Sequence, residues 1–255
     1  MASKRMTGVS EASDPAIRKQ IARGRKRAII PIGSVEQHGA HLPVATDAII
    51  AEEVAMRVSK IVDAFVLPPV FYGVSYEHKP LFNVSIRNET LAALIGDICI
   101  SLAENGINKI ILLNAHYGND AALSSISQVL QDKVPKGTLI YSLSYWMVLD
   151  EEIGHADENE SSLMLAIRPE LVSMKNAKKG RVKVGNIKSE KALVLSRLTS
   201  IPSSFPRLAS NGVWGDPRKA NSRKGKIMLD QVSRKLVDMI KDVEKVYGTV
   251  FKGRK

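Results

Sequence analysis

The sequence predicts an α/β protein whose mostly parallel sheet is covered by helices on both faces, and three observations predict it. Apolar runs of strand length alternate with segments of helical period, the pattern of repeated strand–helix–strand units. A chain of 255 residues can bury about 70–75% of its unfolded surface, which favours one large domain over 1–255 instead of two small ones. The longest uncharged runs, 64–76 and 137–149, are 13 residues each, which suits buried strands and falls short of a membrane span.

The elements follow in order. Residues 1–27 read as an N-terminal extension with a helix, and 28–33 as the first strand. A helix is expected over 47–60, because Ile49, Ile50, Val54 and Val58 share one face. Residues 64–70 predict a second strand, 90–104 a helix ended by Asn105-Gly106, and 109–113 a third strand. A helix over 121–131 and a strand over 138–143 come next, then a helix over 160–167 stopped ahead of Pro169. Residues 175–220, rich in Lys, Ser, Gly and Pro, read mostly as basic loop. The last helix spans 222–247, with Ile227, Leu229, Val232, Leu236, Ile240, Val243 and Val246 near a 3.6 period.

Composition narrows the function classes. The single cysteine, Cys99, excludes an intrachain disulfide framework and a thiolate zinc site, and it fits a reducing interior. The N-terminal residues lack the apolar core of a secretory signal, so the cytoplasm is expected. The net charge of +11 is split, with −4 over residues 1–174 and +15 over 175–255. Such a basic third serves a solvated surface, a phosphate-bearing small molecule or a nucleic acid, and no nucleic-acid module is recognisable.

All five histidines fall beyond strand ends: His38 and His41 after the first strand, His78 after the second, His116 after the third and His155 after the fourth. In open parallel sheets that edge collects ligands. In the first cluster, Gly33 to Asp47, Glu36 and His38 are two apart, so in extended chain their side chains share a face and can approach one cation or two adjacent ones. Gly33 and Gly39 allow tight turns on either side, and Asp47 opens the next helix, oriented back toward the strand end. Imidazole and carboxylate without thiolate suit zinc, manganese or iron(II). The second cluster is Asn114-Ala-His116-Tyr-Gly-Asn119-Asp120, where Asn119 is either a helix cap or a substrate contact. The third, Gly154-His155-Ala-Asp157-Glu158-Asn-Glu160-Ser-Ser162, enters a helix; acidic residues there also serve the helix dipole, which accounts for Asp157 but not for His155.

In order and spacing these clusters resemble the creatininase family of metal-dependent amidohydrolases, including its archaeal formamide deformylase-like members. The family pattern E-x-H-G-x-H-L-P-x-x-T-D is matched by Glu36-Gln-His38-Gly-Ala-His41-Leu-Pro-Val-Ala-Thr-Asp47; N-G-H-G-G-N by Asn114-Ala-His116-Tyr-Gly-Asn119; and H-A-G-E-x-E-T-S by His155-Ala-Asp157-Glu158-Asn-Glu160-Ser-Ser162. Tyr72-Gly-Val-Ser75-Tyr-Glu77-His78 and Gly212-Val-Trp-Gly215-Asp-Pro217 extend the match over about residues 28 to 230. The resemblance implies a three-layer α/β/α fold, two divalent metal ions (zinc, iron or manganese) and a homo-oligomer, commonly a hexamer.

Carried over residue by residue, it implies that Glu36 and His116 hold one metal, His38 and a second carboxylate the other, and that Asp47 bridges. Creatinine hydrolases proper place that carboxylate two residues after the third-site histidine, where this chain has Gly118; Glu160 is the replacement expected here. His41, three residues from His38, is expected to point away and support the loop. Glu158 and His155 are both candidates to protonate the leaving nitrogen. Ser75, Glu77, His78, Asn119 and Trp146 are implied for substrate binding, while Ala115, Tyr117 and Phe82-Asn83 depart from the family pattern.

The expected function is hydrolysis of a non-peptide C–N amide. Among the family's substrates the basic C-terminal third favours a formamide on a ribosylaminopyrimidine phosphate, as in flavin and deazaflavin biosynthesis, over creatinine or a peptide precursor of a redox cofactor. The alternative of another class is a non-catalytic protein that binds nucleic acid or an acidic partner through that third.

Overall fold

In a strand buried on both sides, alternate residues face opposite layers, and that alternation builds this molecule. The computed structural model describes residues 8–150, 154–180 and 201–252. Its strands β1 (Arg27–Ile32), β2 (Phe65–Val66), β3 (Lys109–Asn114) and β4 (Leu139–Ser144) are all parallel, in the order β2-β1-β3-β4. The helices among the described residues are α1 (Asp14–Ala22), α2 (Thr46–Val62), α3 (Asn88–Glu104), α4 (Asp120–Ser124), α5 (Ile126–Val129), α6 (Glu158–Ile167), α7 (Phe205–Leu208) and α8 (Ser222–Lys252). One sheet face presents Ile29, Ile111, Leu113 and Leu143 to α2, α6 and α8. The other presents Ile30, Ile32, Ile110 and Leu112 to α3, α4 and α5, with Ile17 and Ile21 of α1 packed beside them. Burying each such side chain stabilises the fold by about 1.5–3 kcal/mol. Cys99 lies inside the second layer, where burial pushes its thiol up to about 12 and leaves it unreactive.

The helices expected over 47–60, 90–104 and 222–247 form over Thr46–Val62, Asn88–Glu104 and Ser222–Lys252, and three further elements differ for a local reason. The second strand is expected over 64–70 but forms only at Phe65–Val66, because Pro68 and Pro69 cannot donate to the ladder; Val70 rejoins β1 through a bridge to Ile32. The helix expected over 121–131 is two short helices, broken at Ser125 beside Ser124, residues whose hydroxyls compete for backbone partners. The helix expected from residue 160 starts at Glu158, because the Asp157 carboxylate caps the amides of Asn159 and Glu160. In the basic stretch 175–220, the described residues add α7 and two single turns at Met174–Asn176 and Pro217–Lys219; residues 181–200 lie outside the described ones.

The strand order reverses direction between β1 and β3, since β2 lies to one side of β1 and β4 beyond β3. Such a switch point opens a crevice at the carboxyl edge. Helix α8 runs the other way along the outer layer, and its Glu244 meets Arg27 (2.6 Å) and Lys109 at the amino edge of the sheet. No helix among the described residues is long and apolar enough to cross a membrane.

Candidate metal centre

The loops after β1 and β3, neighbours at the switch point, deliver most of the site. Gly33 lets the chain pass under the first turn of α2, where a Cβ would overlap the Ala48 backbone. Gly39, at φ 64°, closes the following turn in a conformation that favours glycine. Glu36 and His38 leave the intervening segment, Asp47 enters from the first turn of α2, and His116 follows β3, its backbone N–H held by Asn114 Oδ1 at 3.1 Å. Glu160 reaches in from the first turn of α6, where its Oε2 accepts the Ala156 N–H at 2.5 Å. All five are buried, none more than 5% exposed.

Hydrogen bonds to main-chain carbonyls orient both central imidazoles. His38 Nδ1 lies 3.0 Å from the carbonyl oxygen of Glu36, which only accepts, so Nδ1 carries the proton. Its Nε2 lone pair then faces Asp47 Oδ1 at 3.0 Å, with Glu160 Oε2 at 3.9 Å. His116 is the mirror case: Nε2–H donates to the Val74 carbonyl at 2.8 Å, and Nδ1 lies 3.2 Å from both Glu36 Oε2 and Asp47 Oδ2. Those two carboxylate oxygens are fully buried without a hydrogen-bond partner among the described residues. A lone pair aimed at buried carboxylate oxygens is repulsive unless a cation stands between them. Among the described residues the ligating atoms fall into four groups, each within 4.8 Å; Glu36–His38–His155 and Glu36–Glu77–His78 share Glu36, while Glu36–Asp47–His116 and His38–Asp47–Glu160 share Asp47 and hold the two lone pairs described above. The donor set therefore fits two cations sharing Asp47.

Without cations, protons take their place. Burial opposes charge on His38, but Asp47 outweighs it and lifts the imidazole to about 10; His116 is raised well above its ordinary value against the same burial, by Glu36 and Asp47. Burial also works against Glu36, and the flanking His116 and His78 hold it well below the carboxylate range. Burial pushes Glu160 up to about 8 and Glu77 to about 7. His155 goes the other way, held well below its ordinary value by burial and then by His38 and His78.

The remaining predicted residues separate clearly. His155 stands in the cluster, its ring 4.3 Å from that of His38, with Nε2 on the Gln37 carbonyl (2.8 Å) and Nδ1 3.8 Å from Glu36 Oε1. An antiparallel bridge to Trp214 pins it there. Glu158 points elsewhere, to Lys224 at 3.0 Å. His41 bonds Ser161 Oγ at 2.9 Å and belongs to none of the four groups of ligating atoms. Asn119 makes no side-chain cap: its amide hydrogens go to Gly33 O and Asn114 Oδ1 and its oxygen accepts the Val74 N–H, so it ties the ends of β1 and β3 to the loop after β2 with no donor left over. Ser75 and Glu77 are buried near the cluster with Oγ and Oε2 unpaired, and His78 bonds Glu36 Oε1 at 3.1 Å. Trp146 stacks on Tyr117, ring centroids 4.2 Å apart. Sequence reasoning missed Phe205, whose ring covers His78 (4.6 Å) and His155 (4.8 Å), and no local pattern marks it. It also missed Gln37, although Gln37 stands inside the first motif.

A family profile described as creatininase, creatinine amidohydrolase, matches residues 10–240. The chain belongs to the creatininase family. It is thus a metal-dependent amidohydrolase. A creatinine amidohydrolase of Pseudomonas putida is 24% identical over 248 residues, covering 88% of this chain and 92% of its own. A mycofactocin precursor peptide peptidase of Mycolicibacterium smegmatis is 30% identical over 229 residues, covering 84% and 83%. A 2-amino-5-formylamino-6-ribosylaminopyrimidin-4(3H)-one 5'-monophosphate deformylase of Methanococcus voltae is 33% identical over 109 residues, 42% of this chain and 40% of its own. Among solved structures, a mutant creatininase of the Zn–Zn type superposes with a TM-score of 0.79 at 23% identity, covering 94% of this chain and 98% of its own. A manganese creatininase superposes at 0.78 and 22%, covering 93% and 98%. At those identities the superpositions establish the creatininase fold.

Proposed function

We propose that this chain hydrolyses a small non-peptide C–N amide at a centre of two divalent transition-metal ions, one held by Glu36, Asp47 and His116 and the other by His38, Asp47 and Glu160. The observation that carries the reading is Asp47, whose two oxygens face two different lone-pair imidazoles inside a buried site. The cations, when bound, supply a water acidified to near neutrality and a Lewis acid for the amide carbonyl. His155 is the proton carrier: with Nε2–H tied to the Gln37 carbonyl, its Nδ1 is open toward the cluster, able to take a proton and hand it to the departing nitrogen. Phe205 covers that imidazole and keeps bulk water from it. Ser75 and Glu77 offer buried polar atoms to the substrate, and the Tyr117–Trp146 stack beside His116 offers a flat wall.

Within this class we favour a formamide carried on a phosphorylated ribosylaminopyrimidine. Gly118 supports this against creatinine: a Cβ there would overlap the Val74 carbonyl and crowd His116, so the chain has no room for the carboxylate expected of creatinine hydrolases. The basic C-terminal third supports it less than its total charge suggests, because Lys224, Lys235 and Arg218 are paired with Glu158, Asp150 and Asp216. The test is protein loaded with zinc, manganese or iron(II) and offered formamides, creatinine and short peptides. Formate release is the expected outcome. Turnover of creatinine alone would move the assignment within the family, and a chain that cannot be loaded with metal would sink the two-cation reading.

A further inference from the structure

The first motif holds a buried side chain to which the two-cation reading gives no task, the amide of Gln37. The main chain sets its orientation: Gly39 N–H donates to Oε1 at 3.0 Å, which makes Nε2 the donor end of the amide. That nitrogen lies 3.0 Å from His78 Nδ1. An amide N–H only donates, so Nδ1 accepts and the His78 proton resides on Nε2, 3.1 Å from Glu36 Oε1. Gln37 Nε2 also lies 3.1 Å from His155 Nε2; that ring nitrogen gives its proton to the Gln37 carbonyl and cannot accept a second, so the contact is an approach and not a bond. A single directed path therefore runs Gly39, Gln37, His78, Glu36, and its last three residues are buried.

We propose that Gln37 and His78 are positioning residues for Glu36. The relay fixes His78 as a donor, occupies Glu36 Oε1, and leaves Oε2, unpartnered and 3.2 Å from His116 Nδ1, as the oxygen presented to the cation on the His116 side. With the His78 proton on the other nitrogen, a lone pair would face Glu36 Oε1 and turn the carboxylate away. The proposal rests on the two-cation reading, and it predicts where a proton sits whether or not a cation is bound.

The decisive variant is Gln37→Glu, which keeps the side-chain shape and the bond from Gly39 but can no longer donate to His78. Nitrogen–proton correlation spectra of the imidazoles should place the His78 proton on Nε2 alone in the parent and add one on Nδ1 in the variant, where a carboxylate faces each ring nitrogen. Chelator competition with zinc should show one of two cations weakened by about 10–100-fold, the effect typical of groups that orient a ligand, and the other unchanged. Metal-free Gln37→Glu should melt within a few degrees of the parent, so a general loss of structure would not mimic the result. Gln37→Leu, which also lacks the donor, carries the same affinity prediction if the Glu variant does not fold. A proton on His78 Nδ1 in the parent, or both cations bound to Gln37→Glu as tightly as to the parent, would overturn the relay. Failure of the parent to bind zinc would defeat the two-cation reading instead, and the tautomer measurement would still decide the relay.

Discussion

At position 118 a side chain would collide with the Val74 carbonyl that orients His116, so the carboxylate for the second ligand group comes from another helix. Gly118→Glu should therefore create no new ligand; it should cost about 1–3 kcal/mol by overpacking and loosen the His116 cation. Thermal unfolding and metal analysis read both, and two tightly bound metals at unchanged stability would contradict the account. Asp47→Ala should lose both cations, since each imidazole faces a different oxygen of that one carboxylate. Glu160→Gln should weaken one cation by at least about 10-fold, whereas Glu158→Gln should leave both bound, because its carboxylate is engaged by Lys224. Metal affinity should also rise with pH. In the metal-free chain His38 is raised from 6.5 to about 10, so its contribution to stability is fully present below 6.5 and lost as pH rises through about 10. A cation must displace that proton, so binding at neutral pH should release protons, measurable by titration calorimetry in buffers of different ionisation enthalpy.

Helices α6 and α8 carry the site's position as well as the fold's stability. Gly225 of α8 sits directly on α6, where a Cβ would overlap the Ser162 carbonyl and press on Ala166. Gly225→Ala should destabilise by about 1–3 kcal/mol and, by tilting α6, displace Glu160 and weaken cation binding, two readouts that should move together. At the far end of α8, Glu244 holds Arg27 and Lys109. Although burial opposes its charge, Arg27 and Lys109 lower its carboxyl below 4.5, so the stability it contributes is present above 4.5 and lost as pH falls through the lowered value. Glu244→Gln should cost about 1–3 kcal/mol at pH 7, between an exposed and a buried ion pair, and the difference from the parent should shrink in acid.

Among the described residues, four carboxylates and four imidazoles converge on one buried edge of the sheet, a concentration of charge that an apolar protein interior tolerates only when cations or protons compensate it. Metal binding and stability are consequently linked. At a free metal concentration of 100 times the dissociation constant each independent site adds about 2.7 kcal/mol, so chelation should lower the melting temperature by roughly 5–10 °C per site. Calorimetry with and without chelator measures the shift; identical melting curves for a chain shown to carry metal would separate the centre from the fold.

The α/β class and the strand-end placement of all five histidines were legible in the sequence because both are short-range properties. Continuous apolar runs of strand length, and the glycines bracketing Glu36 and His38, specify local geometry regardless of what packs nearby. Local breakers were equally readable in principle: Pro68-Pro69 and Ser124-Ser125 cut the second strand and the helix after β3. Tertiary structure alone decided the rest. Glu160 meets His38 and Asp47 because α6 packs beside α2 more than a hundred residues downstream, and Phe205 reaches the imidazoles from α7. Asn119 spends its amide on the ends of β1 and β3 and on the loop after β2, and the imidazole tautomers depend on carbonyls of Glu36, Val74 and Gln37. A side chain's residue type sets which bonds it can make, but the partners that consume them come from distant segments, and only the fold brings those within reach.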